Sequence, residues 1–506
     1  MTKPAQNPID FGLLLLSVFI CGMIVLVLEV LGSRVLGPYF GISLFIWTSL
    51  ITITLVSLSV GYWLGGMLSD RYQYPKLFYS FILSAGFFVM FIPLIQKPVS
   101  LAMTSLGPRL GCLITALILF GFPLTLLGMV APFSLKLSLK ELNRVGKISG
   151  NLYALSTFGG ILGTLTVGFW LIPNLGLRNI FLSISMVLSI LPGIYFMLNK
   201  KWILFILSAG LTLSNIVLMI HFSDRTPASG IVYKSESYYG QLKVIDRNNV
   251  HMLMVDGAIQ TAYDMDHHKS VAPYTPVIEE IIKAYRDRSP VKIFNGAVIG
   301  LGGGIIPEAE FKAGDAVDIV EIDPRIPKVA NKYFEFQPER FNLIIEDARH
   351  FLNHQHKKYH YIVLDVFAGE SSPFYLLSRE CFSEIKDSLT DDGILVMNTI
   401  GLFAGDGAEF TRSIFKTLQE VFPYRAVLTT SSKDNFSNYI MVASGQHLDV
   451  LIDSSGMLHS QEVHITGQEG FVLTDNYNPS DYLEQKVALE WRLSIWRGTA
   501  SDILLD

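Results

Sequence analysis

The 506-residue chain has only three cysteines, Cys21, Cys112 and Cys381, and none falls in a paired spacing. That scarcity excludes a disulfide-stapled scaffold and a thiolate zinc site. Charge is scarce too: 16% of residues are Asp, Glu, Lys or Arg, half are hydrophobic, and the mean hydropathy is +0.40. Such a balance excludes a fibrous or disordered chain and is too apolar for a wholly soluble protein of this size. The length calls for two or more units.

Acids are rarest at the start. Residues 1–221 hold four (Asp10, Glu29, Asp70, Glu141) against thirteen Lys and Arg, a net charge of +9, which leaves −14 for residues 222–506. An acidic second half opposes binding to a phosphate backbone, so nucleic acid is a poor candidate partner.

What the first half has instead is apolar runs, near 11–31, 43–68, 77–96, 110–135, 151–173, 178–198 and 202–221. A hydrocarbon layer of about 30 Å needs roughly 20 apolar residues per helical pass, so residues 1–221 are expected to form about seven membrane helices in a lipid bilayer. The first run is too long for the core of a cleaved signal peptide. Gly61 and Gly65, and Gly159, Gly160 and Gly163, have the spacing that lets helix backbones approach in lipid. Glu29 is an intramembrane carboxylate with Arg34 nearby, a costly arrangement unless paired or hydrated. The stretch Gly65–Arg71 with Lys76 resembles a cytoplasmic loop of major-facilitator transporters.

Topology carries an internal conflict. With seven passes one side holds Lys3, Arg71, Lys76, Lys136, Lys140, Arg144, Lys147, Lys200 and Lys201, and the other only Arg34, Lys97, Arg109 and Arg178. The positive-inside rule then sends residue 222 onward out of the cytoplasm. A cytosolic cofactor would require the reverse: either one run is split or re-entrant, making an even count, or the charge rule is overridden.

After His221 the pattern changes. Segments 239–246, 251–256 and 258–262 read as a small antiparallel sheet with turns at Asn248, Asn249 and Gly257. A helix is expected over 274–287, then strands at 296–301, 317–322, 342–346, 360–366 and 392–398 alternating with helices at 307–313, 325–333, 348–356, 375–388 and 407–421, and final strands near 425–430 and 437–444. That alternation implies a doubly wound, mainly parallel sheet. The expected divisions are 1–221, a small β-sheet subdomain with its helix at 222–290, a Rossmann-like domain at 291–450, and an extension at 451–506.

In such folds ligands sit beyond the carboxyl ends of the strands. There the chain has a glycine turn, Gly300 to Gly304, and an acid closing the next strand, Glu321, at the position that takes ribose hydroxyls. Asp347 follows the third strand and Asp365 the fourth. Any one of them could merely cap the following helix; their recurrence at successive strand ends points to a nucleoside crevice. His267 and His268 lie in a polar segment and read as solvent-facing, so no metal chemistry is expected.

Residues 231 to about 445 resemble the spermidine synthase family of aminopropyltransferases, and the apolar half resembles that of its transmembrane members. The resemblance implies an α/β class I methyltransferase-type domain and a donor, decarboxylated S-adenosylmethionine, with no metal. It implies donor contacts at Gln241, Gly302, Gly303, Gly304, Glu321, Asp347, Ala348 and Pro373. Asp365 would be the proton acceptor, and Gln260 would belong to the amine side. Family members commonly dimerise, so a homodimer is implied as well.

Departures are concentrated around the amine. Ile305-Ile306-Pro307 stands where the family's glycine turn continues with Asp, Lys269 and Ser270 stand at its His-Glu pair, and Ala368 replaces a second Asp, with Glu370 nearby. Each lost ionic hydrogen bond is worth about 1.5 to 3 kcal/mol, so putrescine should bind poorly. Lys269 could pair with a carboxylate or phosphate. Three functions stay open: aminopropyl transfer in polyamine biosynthesis at the cell membrane, with the catalytic half cytoplasmic; transfer from intact S-adenosylmethionine to another, membrane-associated substrate; and a transporter or sensor with a regulatory nucleoside domain.

Overall fold

The computed structural model describes residues 8–41, 44–139, 145–223, 230–237, 239–366, 373–405, 407–430, 436–448, 470–484 and 487. The chain divides into two compact units, Met1–Thr226 and Pro227–Asp506.

The first unit is helical. Six helices are long and apolar enough to cross a bilayer: Phe11–Phe40, Leu44–Arg71, Pro75–Ser138, Val145–Leu175, Leu177–Leu198 and Trp202–His221. The third contains two of the seven expected runs, 77–96 and 110–135. It has 64 residues, about 96 Å at the α-helical rise, three times the hydrocarbon thickness, and it is not one rod. A 3₁₀ turn at Thr104–Leu106 leads to Gly107 with φ of +79°, and the chain doubles back so that Pro75–Met103 lies against Phe122–Gly128. The two runs thus lie in separate arms on either side of Gly107, where the non-helical backbone interrupts the helix.

Glycines set the helix spacing. A Cβ on Gly159 would lie 2.2 Å from the Phe19 carbonyl oxygen, and one on Gly61 would lie 2.4 Å from that of Thr125. Two polar contacts join helices in this unit. The Thr54 hydroxyl donates to Glu29 across a helix pair, and the Lys136 ammonium donates to Asp70 at 2.7 Å.

The second unit holds two sheets. Strands β1 (Ile231–Ser237), β2 (Gly240–Arg247), β3 (Val250–Val255), β4 (Ala258–Asp264) and β5 (Lys269–Ser270) form an antiparallel sheet in that order. The hairpin turns follow from residues that accept positive φ: Asn248 and Asn249 at +53° and +61°, Asp256 and Gly257 at +47° and +85°. Strands β1 and β5 were not expected. Both are edge strands without the alternating apolar pattern that marks β2 and β3.

The larger sheet comprises β6 (Asn295–Ile299), β7 (Ala316–Glu321), β8 (Asn342–Ile345), β9 (Tyr359–Leu364), β10 (Leu389–Gly401), β11 (Tyr424–Thr429) and β12 (Ser437–Ser444). Its order is β11-β12-β10-β9-β6-β7-β8, parallel from β10 through β8 and antiparallel at β11 and β12. The chain steps from β6 outward to β7 and β8, then returns to place β9 on the other side of β6. That reversal opens a crevice at the carboxyl ends of β6 and β9.

Helices cover both faces. Helix Thr275–Arg286 starts with Pro276 in its first turn and buries Val277, Ile278, Ile281, Ile282 and Tyr285 along one stripe. The expected helix 375–388 is split by the Ser378 cap into a 3₁₀ turn, Phe374–Leu376, and helix Arg379–Ser388. Part of the expected 451–506 extension is woven into this unit: Arg379 N donates to Leu473 O at 2.8 Å, and Leu473 N to Thr417 Oγ1 at 2.9 Å.

Gly159→Leu should lower the melting temperature of the full-length protein in detergent, since overpacking costs about 1 to 3 kcal/mol. Gly66→Leu meets nothing within 4 Å and should leave it unchanged; equal losses in both variants would contradict this packing.

Candidate active site

Four consecutive parallel strands, β9, β6, β7 and β8, deliver Asp365, the glycine turn, Glu321 and Asp347 to one sheet edge. Asp365 follows β9 directly, and its amide donates to Ile299 O at the end of β6 at 2.9 Å. Gly300 turns away at φ +92°, and any Cβ there would lie 2.1 Å from the Asp365 carbonyl oxygen. Only glycine lets the two strand ends approach this closely.

The rest of the turn is held from two directions. Glu321 is buried and accepts from Leu301 N at 3.1 Å and from Asp323 N at 2.9 Å. Burial raises its pKa above the ordinary glutamate range, while those amides partly oppose the shift. Gly303 N donates to Thr261 Oγ1 on β4 at 2.8 Å, tying the small sheet to the turn. Gly302 and Gly304 both have positive φ.

Asp365 is held by two side-chain donors. Asn398, on β10, donates from Nδ2 to Oδ1 at 2.9 Å, and the Tyr274 hydroxyl donates to Oδ2 at 3.2 Å. Asn438 in turn donates to Asn398 Oδ1 at 3.0 Å, which fixes the amide's orientation. Burial raises the Asp365 pKa; the bonds from Asn398 and Tyr274 pull in the opposite direction. Tyr274 is pushed well above the usual phenol range by burial and by Asp365, so it remains a donor. A cavity of about 210 Å³ opens beside this group, and Gln260, Tyr274, Asn398 and Asn438 are among its lining residues, with Ile259, Val271 and Ile400.

The other expected residues are distributed as follows. Gln241 donates from its side chain to Glu236 at 2.6 Å and from its backbone to Asp256 at 2.8 Å. Asp347 caps helix Ala348–His354, accepting from Arg349 N and His350 N at 2.9 and 3.1 Å, and its second oxygen accepts from the Tyr375 hydroxyl at 2.9 Å. The local capping role is therefore real for this acid, and Ala348 opens the capped helix. Pro373 begins the 3₁₀ turn that carries Tyr375. Lys269 is exposed on the edge strand β5. Ala368 and Glu370 lie outside the described residues. His267 pairs with Asp264 and His268 with Glu335, both at the surface.

Thr261, Tyr274, Tyr375, Asn398 and Asn438 were not singled out from the sequence. Asn398 occupies a strand position next to the crevice just as the acids do, but it carries an amide where carboxylates were sought.

This architecture defines an α/β domain of the methyltransferase type. Residues 243–450 match the spermine/spermidine synthase domain, so the carboxy-terminal half of the chain carries a domain of that transferase family. Among curated relatives, a polyamine aminopropyltransferase of Vibrio vulnificus is 31% identical over 200 residues, 37% of this chain and 66% of its own length. An N-terminal histidine N-methyltransferase of Emericella nidulans is 36% identical over 157 residues, 29% of this chain and 27% of its own. The chain thus spans between about a quarter and two thirds of these two relatives. A crystal structure of a probable spermidine synthase from Corynebacterium glutamicum superposes with a TM-score of 0.40 at 16% identity, covering 52% of this chain and 94% of that one.

If Asp365 acts as a base it must be ionised, so activity should fall as pH drops through its raised pKa, at a higher pH than for an ordinary aspartate. Asn398→Leu removes a bond that favours the ionised form and should move that acid limb further up in a kcat/KM profile. Asp365→Asn should cost about 10²- to 10⁴-fold in turnover; a variant with wild-type turnover would remove Asp365 from the chemistry.

Proposed function

We propose that the chain is a membrane-anchored aminopropyltransferase-like enzyme that transfers an aminopropyl group from decarboxylated S-adenosylmethionine to an amine and releases methylthioadenosine. The observation that carries this reading is the partly buried Asp365, held by Tyr274 and Asn398 between the glycine turn and the cavity. In this reading the nucleoside lies over Gly302–Gly304 with its ribose toward Glu321 and its base toward Asp347, Ala348 and Pro373; Gln241 completes the donor contacts.

The acceptor amine must lose a proton before its lone pair can attack. Asp365 takes that proton while the nitrogen closes on the carbon attached to sulfur, at a distance near 3 Å. A C–N bond forms, the C–S bond breaks, and its electron pair leaves with sulfur, which passes from a sulfonium to a neutral thioether. Positive charge on sulfur is lost in this step, so nearby carboxylates aid donor binding as much as the reaction. Positioning by Tyr274, Asn398 and the glycine turn is therefore the main source of rate. The six apolar helices support a multi-pass location in the cell membrane, and a cytosolic donor favours a cytoplasmic catalytic half.

A second reading, transfer from intact S-adenosylmethionine, is favoured by the 36% identity to the histidine N-methyltransferase. Calorimetry separates the two. Full-length protein in detergent should bind decarboxylated S-adenosylmethionine and methylthioadenosine more tightly than intact S-adenosylmethionine and S-adenosylhomocysteine. The opposite preference would overturn the aminopropyl reading.

A further inference from the structure

The cavity beside Asp365 is chemically unlike a site for a dication. Its described lining offers amides and hydroxyls at Gln260, Thr261, Asn398 and Asn438 and apolar surface at Ile259 and Ile400, and it contains no carboxylate of its own. The acid next to it, Asp365, already receives two hydrogen bonds from the protein. A single amine nitrogen can be met there. A second ammonium further along the same substrate would enter a space lined by neutral groups, and removing a charge from water without an ionic partner is strongly unfavourable.

The cavity's outer side adds to this. Val271 and Ala272 belong to its wall, and Lys269 stands two residues before Val271, on the edge strand, in no ion pair among the described residues. A positive group in that neighbourhood opposes a distal ammonium and tolerates a neutral chain.

We infer that the acceptor is a monoamine: a substrate with one nucleophilic nitrogen and an uncharged, partly apolar body, not an α,ω-diamine. This rests on the transfer reading for its catalytic meaning, but the pocket's preference is a property of binding and can be measured without turnover.

The test titrates n-butylamine and putrescine, which share a four-carbon chain and differ in the second nitrogen, into full-length protein saturated with methylthioadenosine. Butylamine should bind at least about tenfold more tightly, the loss expected for one ionic hydrogen bond not made. Tighter binding of putrescine, or no binding of either amine, overturns the proposal. Val271→Glu places a carboxylate on the cavity wall and should raise putrescine affinity about tenfold or more while leaving butylamine within a few-fold. Glu370→Gln should leave the ratio unchanged; a selective loss of putrescine binding in that variant would show a carboxylate serving a second ammonium and would equally overturn it. Absence of transfer from either donor, with the butylamine preference intact, would count against the transfer reading alone.

Discussion

A carboxylate drawn partly out of water at the end of a parallel strand must be solvated in part by the protein. That constraint organises the carboxy-terminal half. Asp365 sits where β9 ends, and two donors, the Asn398 amide and the Tyr274 hydroxyl, take the place of solvent. Asn438 holds Asn398 in the orientation that points its NH₂ group at the acid. Because both donors oppose the effect of burial, the carboxylate's basicity is raised but bounded, a useful compromise for the proton-accepting role proposed for it.

The same sheet edge explains why the site is assembled here and nowhere else on the domain. Placing β9 against β6 brings Asp365 within a backbone hydrogen bond of Ile299 and leaves no room for a side chain at Gly300. Glu321 then serves the turn from below, as an acceptor for Leu301 N. The ribose contact proposed for it would use whatever bonding capacity these amides leave. Asp347 shows the same economy, since one oxygen caps a helix and the other holds Tyr375. Structural and recognition roles of strand-end acids are thus compatible, because a carboxylate accepts several hydrogen bonds at once.

The helical half obeys a different rule. In lipid there is no hydrophobic gain from bringing helices together, and close backbone approach at small residues substitutes for it; Gly61, Gly65, Gly159 and Gly163 mark such contacts. The doubled-back stretch Pro75–Ser138 bears on the conflict between charge distribution and cofactor supply. It folds back at Gly107 and so holds two of the runs read from hydropathy, which leaves the odd count, and with it the conflict, unchanged.

Glycine turn, Glu321, Asp347 and Asp365 were legible in the amino-acid sequence because each is a local event, a change of residue type at the end of an apolar run. The alternation that announces a doubly wound sheet is local in the same sense, as are the hairpins at Asn248-Asn249 and Asp256-Gly257. The edge strands β1 and β5 were not legible, since an exposed strand has no burial to impose a period. Nor were the partners of Asp365: Tyr274 lies 91 residues before it and Asn398 33 residues after it. Sequence alone determined that an acid would stand at that strand end. Which groups solvate it, and which amides and hydroxyls among the described residues line the space beside it, was decided by strand order, because only the tertiary fold brings β4, β10 and the start of helix Thr275–Arg286 to the same few ångströms.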